Sequence, residues 1–131
     1  SGYQAAVLGE LADEVITVER LASLADSARE ALSLLGYVNV CVKLAELQLG
    51  WQRKAPYDAI IVAAGAPRLP NELIDQVADN GRLVVPVGPP ESQELLKITK
   101  SGSSHAIQSL GGCKFVPLIG EGAWDEPNLQ E

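Results

Sequence analysis

The sequence predicts an α/β fold in a single domain over residues 1–131, with a mostly parallel sheet, helices on both faces and an antiparallel end. Segments with helical spacing of apolar residues alternate with short β-branched runs, which is the order of parallel sheets with crossover helices. The last two strand-like segments are joined by a Ser/Gly turn, which favours an antiparallel pair. The composition, 47% hydrophobic and 21% charged, is typical of globular protein.

The chain begins with a predicted helix and a predicted strand. Residues Tyr3 to Leu11 favour a helix that has Ser1 or Gly2 near its N-terminus. The β-branched run Val15 to Val18 is typical of a short strand buried on both faces.

A second helix–strand pair follows. Apolar residues from Leu21 to Leu35 recur at helical spacing, and Gly36 stands where the helix is expected to end. Alternation over Asn39 to Leu44 predicts the next strand. The apolar run Ala59 to Ala63 predicts a further strand after a turn over residues 55–58.

The remaining elements are punctuated by glycine, proline and asparagine. A short helix is expected from Pro70 to about Val77, and Asn80-Gly81 is a strong turn signal. The residues after Gly120 are expected to be irregular. Strands are predicted over Arg82–Val87, Leu95–Thr99 and Gln108–Pro117.

The charge balance disfavours several classes of partner. The formal net charge is −7, and the ten basic residues are scattered among acids, which argues against nucleic-acid binding. The longest apolar runs are far shorter than the roughly 20 residues that span a bilayer. No N-terminal signal pattern is visible. We therefore expect a cytoplasmic protein without a nucleic-acid or membrane partner.

The cysteines and the histidine predict no metal site. Cys41 and Cys113 lie far apart in predicted strands without a CxxC pattern, so we expect two buried, reduced thiols. His105, the only histidine, follows a Ser/Gly turn and is expected to be a solvated loop residue. A single histidine also excludes His-rich metal sites within this sequence.

The first residues resemble a nucleotide-binding turn. Gly2 opens the first predicted helix, and Glu19 closes the strand that follows. A glycine turn before a helix and a carboxylate at the next strand end are how α/β folds hold a nucleoside. A dinucleotide-dependent oxidoreductase is therefore one interpretation, although no complete G-x-G-x-x-G is present.

Six segments together resemble the protein-L-isoaspartate (D-aspartate) O-methyltransferase family. Each is weak alone, but their order and spacing are specific to it. The resemblance implies a Rossmann-like class I methyltransferase sheet. The segments are Ser1–Leu8, Thr17–Arg20, Leu49–Trp51, Ala55–Val62, Gly81–Gly88 and Phe115–Gly120.

The resemblance implies S-adenosylmethionine as cofactor and methyl transfer to isoaspartyl carboxylates in damaged proteins. Gly2 would let the backbone approach the cofactor, and Glu19 would accept hydrogen bonds from the ribose hydroxyls. The family's Gly-Asp-Gly segment is replaced by Ala45-Glu46-Leu47, where Glu46 keeps a carboxylate for the adenine amine and Leu47 could crowd its slot. The implied cofactor-binding residues are Gly2, Tyr3, Glu19, Arg20, Glu46 and Leu47.

A loop after the Ala59 strand is implied to form a wall of the cofactor and substrate cleft. It contains Ala63, Ala64, Gly65 and Pro67, and Ala63 stands where the family commonly has threonine. A plain strand-to-helix connection is the alternative interpretation of this loop.

The resemblance also implies that the family's N-terminal part, with its first strand and substrate-binding serine loop, is absent from this sequence. No catalytic residue is therefore assigned. The first strand would lie between the strands at Val15 and Ala59, so we expect these strands to pair directly or to associate between chains as a homo-oligomer. The alternative function is a non-catalytic truncated α/β module with weak or no cofactor binding. Such a module would bind a partner or form a domain-swapped oligomer.

Overall fold

The computed structural model describes residues 2–125. Contacts between Cα atoms divide the chain into two compact units, Ser1–Glu46 and Leu47–Glu131. The expected single domain over residues 1–131 stays a prediction. The α/β fold class is confirmed, because parallel strands alternate with helices and an antiparallel end follows.

The first unit consists of two helices and a parallel pair of strands. Its elements are α1 (Tyr3–Leu11), β1 (Val15–Glu19), α2 (Ala22–Leu34) and β2 (Val40–Leu44). Strand β1 runs parallel to β2, with Val15 opposite Val40 and Glu19 opposite Leu44. Small side chains of α2 pack on the ladder, in a core of Ala25, Ala28, Leu32 and Val42.

Helix α2 ends at the predicted glycine. Gly36 has a φ of 81°, the left-handed conformation that glycine adopts without steric cost. Its N–H donates to the Ser33 carbonyl at 3.1 Å, and the Tyr37 N–H donates to the Leu32 carbonyl at 3.0 Å. These two bonds form a Schellman motif, which satisfies carbonyls that the helix end would leave without partners.

The second unit contains a four-stranded mixed sheet in the order β3-β4-β5-β6. Strand β3 is parallel to β4, and the other two pairs are antiparallel. A 3₁₀ turn (Gln52–Lys54) precedes β3, and the elements that follow are β3 (Tyr57–Ile61), α3 (Asn71–Ile74), β4 (Val77–Val87), β5 (Gln93–Ser101) and β6 (Ser104–Cys113). The core comprises Leu49, Ala66, Leu73, Ile74, Val77, Leu83, Val85 and Ile98.

The predicted turn at Asn80-Gly81 is wrong, because both residues lie inside β4. The pairing with β3 moves from Tyr57 opposite Val77 to Ala59 opposite Arg82, so β4 carries extra residues in a bulge. Asn80 has a φ of 66°, and a β-carbon on Gly81 would lie 2.8 Å from the Asp58 carbonyl oxygen. The turn-forming residues thus accommodate a bulge rather than a reversal of the chain.

Two other expectations about strands are corrected. His105 lies in β6 opposite Lys100 rather than in a loop, although its side chain is exposed as expected. The turn before it has two residues, Gly102 and Ser103, and the positive φ of Gly102 suits a type II′ hairpin. Cys41 lies in β2 as expected, but its side chain is exposed rather than buried.

The strands at Val15 and Ala59 do not pair directly, which corrects that expectation. Within residues 2–125, β1 pairs only with β2, and β3 pairs only with β4. Strand β3 begins at Tyr57, inside the predicted turn, and it is not fully buried, since Ile61 is 46% exposed.

Among the described residues, no helix is long and apolar enough to cross a membrane.

Two predicted elements end earlier in the chain than expected. Helix α3 ends at Ile74 rather than near Val77, and β6 ends at Cys113 rather than at Pro117. Ser1 and the last part of the tail, residues 126–131, lie outside the described residues.

Candidate cofactor site and substrate loop

The N-terminus of α1 points toward the carboxyl ends of β1 and β2. The other end of α1 is at the amino end of β2, because the Asn39 side-chain amide donates to the Gly9 and Ala12 carbonyls at 2.8 and 3.1 Å. A β-carbon on Gly9 would lie 2.8 Å from Val40 Cγ2, so the contact there is close. The helix therefore runs opposite to the strands, and Gly2 faces the edge where α/β folds bind ligands.

Gly2 is the residue at the N-terminal cap of α1, as the sequence predicts. Its φ of 84° is left-handed, and its carbonyl accepts a hydrogen bond from the Ala6 N–H at 2.9 Å. A β-carbon at Gly2 would lie 3.4 Å from Ala28 Cβ, an ordinary contact. Backbone conformation, rather than lack of space, is thus what favours glycine at this position.

Glu19 is the last residue of β1, and its carboxylate is held by the backbone that follows. Its Oε1 accepts a hydrogen bond from the Leu21 N–H at 3.1 Å. Its carbonyl accepts a bond from the Ala45 N–H at 2.8 Å, which ties the end of β1 to the residue after β2. The carboxylate is therefore fixed at the strand end, where a nucleoside's hydroxyl groups could donate to it.

Three more candidate residues lie at the same edge of the first unit. Tyr3 is the first residue of α1 and is 77% exposed, while Arg20 directly follows β1 and is also exposed. Glu46 comes two residues after the end of β2 and is exposed. Five of the six predicted cofactor residues thus lie at one end of the parallel ladder. The sixth, Leu47, belongs to the second unit, where its carbonyl accepts the Glu121 N–H at 3.2 Å.

The predicted substrate loop lies between two other segments and is hydrogen-bonded to both. The Gly65 N–H donates to the Val116 carbonyl at 2.7 Å, and the Gly65 carbonyl accepts the Leu118 N–H at 2.9 Å. On its other side, the Ala66 N–H donates to the Pro86 carbonyl at 2.8 Å, and the Ala66 carbonyl accepts the Gly88 N–H at 2.9 Å. The backbone of the loop is therefore fixed on both sides.

The accessible part of this loop is smaller than the sequence suggested. Ala63 is exposed, and Ala64 and Pro67 are half-buried, but Gly65 and Ala66 are buried. Only Ala63, Ala64 and Pro67 can form a wall that a ligand would touch. Gly65 is buried and holds the loop in place through its backbone hydrogen bonds.

Two buried glutamines were missed by the sequence analysis. Gln76 and Gln93 are each 4% exposed, the buried polar side chains among residues 2–125. The Gln76 amide donates to the Leu49 carbonyl at 2.8 Å, and its Oε1 accepts the Trp51 N–H at 3.1 Å. Gln76 therefore fixes the segment that follows Leu47. Both glutamines have polar neighbours in sequence, Asp75 before Gln76 and Ser92 and Glu94 around Gln93, so no local pattern marks either side chain as buried.

One titrating group in the first unit is perturbed. The Tyr37 hydroxyl donates to Glu10 Oε1 at 2.9 Å. This bond, together with lost hydration and the Glu10 charge, raises the pKa of Tyr37 above its usual value of 10.0. The pair ties Tyr37, which follows the glycine at the end of α2, to the last turn of α1. Among residues 2–125, no group of His, Cys, Asp and Glu side chains is arranged to hold a metal ion.

The sequence matches a known family model over residues 1–123, that of protein-L-isoaspartate(D-aspartate) O-methyltransferase. The chain belongs to this family. A methyltransferase of this name from Syntrophus aciditrophicus is 49% identical over 127 residues, and one from Geotalea uraniireducens is 53% identical over 126 residues. Both alignments cover 95% of this chain, which spans 58% of the length of each relative.

Solved structures of the family share the fold. One protein-L-isoaspartate O-methyltransferase aligns with a TM-score of 0.82 at 24% identity, over 91% of this chain and 39% of that one. A crystal structure from Plasmodium falciparum, described as such a methyltransferase in complex with S-adenosyl-L-homocysteine, aligns with a TM-score of 0.70 at 27% identity. It covers 92% of this chain and 59% of that one. The Rossmann-like methyltransferase fold expected from the resemblance is therefore confirmed.

Proposed function

We propose that the protein carrying this chain transfers a methyl group from S-adenosylmethionine to the carboxylate of isoaspartyl residues in damaged proteins. The observation that carries this proposal is the family match over residues 1–123, with relatives about half identical along the chain. Those relatives are named protein-L-isoaspartate O-methyltransferases. The proposed partners are proteins and peptides that contain isoaspartyl residues.

The residues of the first unit fit the proposed cofactor. The N-terminus of α1 approaches the ligand edge at Gly2, which adopts the left-handed conformation of this helix entry without steric cost. The Glu19 carboxylate at the end of β1 suits the ribose hydroxyls, and the exposed Glu46 carboxylate suits the adenine amine. When bound, S-adenosylmethionine supplies an activated methyl group, which a carboxylate oxygen accepts as the carbon–sulfur bond breaks.

The contribution of this chain to the reaction is binding and positioning. Methyl transfer from an activated donor needs the carboxylate and the methyl carbon held in line, and little further chemistry from the protein. The substrate loop supports such positioning, since the backbone of Gly65 and Ala66 is bonded on both sides. The solvent-facing residues Ala63, Ala64 and Pro67 are the proposed contacts, and no side chain of this chain is assigned a catalytic role.

Methylation of matched peptides tests this proposal. One peptide contains a single isoaspartyl residue, and its control has the same sequence with aspartate. With methyl-labelled S-adenosylmethionine, we expect base-labile label only in the isoaspartyl peptide. Equal labelling of both peptides would contradict the substrate class. Absence of both label and cofactor binding by calorimetry would instead favour the alternative, a non-catalytic α/β module.

Two further expectations from the sequence concern the oligomeric state and the location in the cell. The described residues give no support to a homo-oligomer formed by strand exchange. The cytoplasmic location stays a prediction from the sequence.

A further inference from the structure

Gln93 is a buried side chain whose amide is fully engaged. It is the first residue of β5, and its Nε2 donates to the Pro89 carbonyl at 2.8 Å and to the Pro90 carbonyl at 3.2 Å. Its Oε1 accepts the Phe115 N–H at 2.6 Å. Both ends of the carboxamide are therefore satisfied, which a buried amide requires.

The aliphatic part of Gln93 packs directly on the substrate loop. A β-carbon on Gly65 would lie 3.0 Å from Gln93 Cδ and 3.1 Å from its Cγ and Nε2. Gly65 is in turn bonded through its backbone to Val116 and Leu118. One side chain thus contacts three segments that are distant from one another in sequence: the turn at Pro89-Pro90, the substrate loop and the segment at Phe115.

No other side chain of similar size could make this set of bonds. Glutamate offers no donor to the two proline carbonyls, lysine offers no acceptor to the Phe115 N–H, and asparagine is one methylene shorter. An apolar residue would remove these partly buried bonds and leave the Pro89 carbonyl with only the Ser92 N–H as a partner. The carboxamide at position 93 therefore defines the relative placement of the three segments.

We propose that Gln93 is a positioning residue for the methyl-transfer reaction. It fixes the Ala63–Pro67 loop through Gly65 and Phe115, and thereby the place of the isoaspartyl peptide. This inference rests on the proposed function and on the assignment of that loop to the substrate. Gln93 touches no reacting atom, and its effect passes through the backbone of the loop.

The variant Gln93→Met tests the proposal, because it keeps the length of the side chain and removes all three hydrogen bonds. Lys100→Met is the matched control on the same strand. The Lys100 ammonium donates to the Ile74 and Val77 carbonyls at 3.2 and 3.0 Å, and its position lies roughly 23 Å along β5 from Gln93. Both variants lose partly buried hydrogen bonds in the same unit, but only Gln93 touches the loop.

In the purified protein, the expected result is a change in KM for the peptide without a change in the affinity for the cofactor product. For Gln93→Met, we expect KM for the isoaspartyl peptide to rise roughly ten-fold or more, with the dissociation constant of S-adenosylhomocysteine nearly unchanged. Lys100→Met should keep the parent's KM even where its stability falls, and Gln93→Asn should recover part of the loss. A parent-like peptide KM in Gln93→Met, or an equal rise in Lys100→Met, would overturn the proposal.

Hydrogen exchange provides a readout that does not depend on activity. In Gln93→Met, the amides of Gly65, Phe115 and Leu118 should exchange about ten-fold faster, while Lys100→Met leaves them unchanged. Unchanged exchange in Gln93→Met would refute the role of Gln93 in fixing the Ala63–Pro67 loop. Lack of methyl transfer by the parent protein would refute the proposed function, and with it the catalytic part of this inference, whatever the exchange result.

Discussion

At the scale of single residues, Glu19 is the side chain proposed to contact the cofactor through the ribose hydroxyls. Glu19→Gln keeps an oxygen for the Leu21 N–H but removes the charge proposed to accept the ribose hydroxyls. Hydrogen bonds to charged groups are worth about 1.5–3 kcal/mol, so affinity for S-adenosylhomocysteine should fall roughly ten-fold or more. Titration calorimetry measures this change. The control is Glu14→Gln, an exposed acid just before the other end of β1, which should bind as the parent does.

The Tyr37–Glu10 pair makes a prediction about alkaline pH. Because the folded-state pKa of Tyr37 is raised above 10.0, its contribution to stability is present below that pH and is lost as pH rises through the folded-state pKa. The stability advantage of the parent over Tyr37→Phe should therefore shrink as pH increases above 10. Urea denaturation at a series of pH values measures it. Glu10→Gln should flatten the same dependence, and a constant difference between parent and Tyr37→Phe would contradict the assignment.

Residues differ in how far the sequence could predict their positions. The place of Glu19 at the end of β1 was predictable because its signal is local: an acid at the end of a β-branched run that follows a glycine turn and a helix. Gln93 was not, because its partners at Gly65 and Phe115 lie 28 and 22 residues away and are brought together only by the sheet. A side chain defined by such distant contacts has no local pattern.

At the scale of elements, the segment from Leu49 to Trp51 depends on a glycine between two hydrogen-bonded residues. Gly50 has a φ of 75°, and a β-carbon there would lie 2.5 Å from Gln76 Oε1 and 2.8 Å from Leu73 Cδ2. Gly50→Ala should therefore lower the free energy of unfolding by about 2–4 kcal/mol, from backbone strain and steric overlap together.

Gly102→Ala provides the control for that substitution. Gly102 has a φ of 60° in the same unit, but nothing lies within 4 Å of a β-carbon at this position. It should therefore show only the backbone strain, about 1–2 kcal/mol. Urea denaturation of both variants compares them, and equal losses would show that the contact with Gln76 is unimportant.

Elements were predictable where their signals are local and consistent. Helix α1 matches the expected Tyr3–Leu11, and α2 ends before the expected Gly36 because the Schellman motif needs a left-handed residue there. The bulge at Asn80-Gly81 was misread because positive φ suits both a tight turn and a bulge. Pairing with β3 decides between the turn and the bulge, and no local sequence pattern predicts that pairing.

At the scale of the whole molecule, stability resides in two separate cores of unequal size. Leu83 is fully buried in the larger one, so Leu83→Ala should lower the free energy of unfolding by about 3–4 kcal/mol through lost burial and a residual cavity. Leu110→Ala, on a side chain that is 49% exposed on β6, should lose about 1 kcal/mol or less. Denaturation of the purified protein measures both, and similar losses would contradict this location of the core.

The arrangement of strands was only partly predictable. Apolar patterning indicates that a segment is a strand, but it does not name the partner strand. The antiparallel end was predictable because β5 and β6 are joined by a tight turn at Gly102, which leaves few alternatives. The direct pairing expected for the strands at Val15 and Ala59 had no such local constraint, and the structure places them in different ladders.

The antiparallel meander β4–β6 has a consequence for the order of folding. Its strands are neighbours in sequence and are joined by short connections, so little chain entropy is lost when they meet. The parallel strands β1 and β2, by contrast, are joined through α2, so a longer stretch of chain must be ordered before they can pair. Because local contacts form fastest, we expect pulse-labelled amides of β5 and β6 to gain protection first during refolding. The last two strands in the sequence would then be the first to acquire structure.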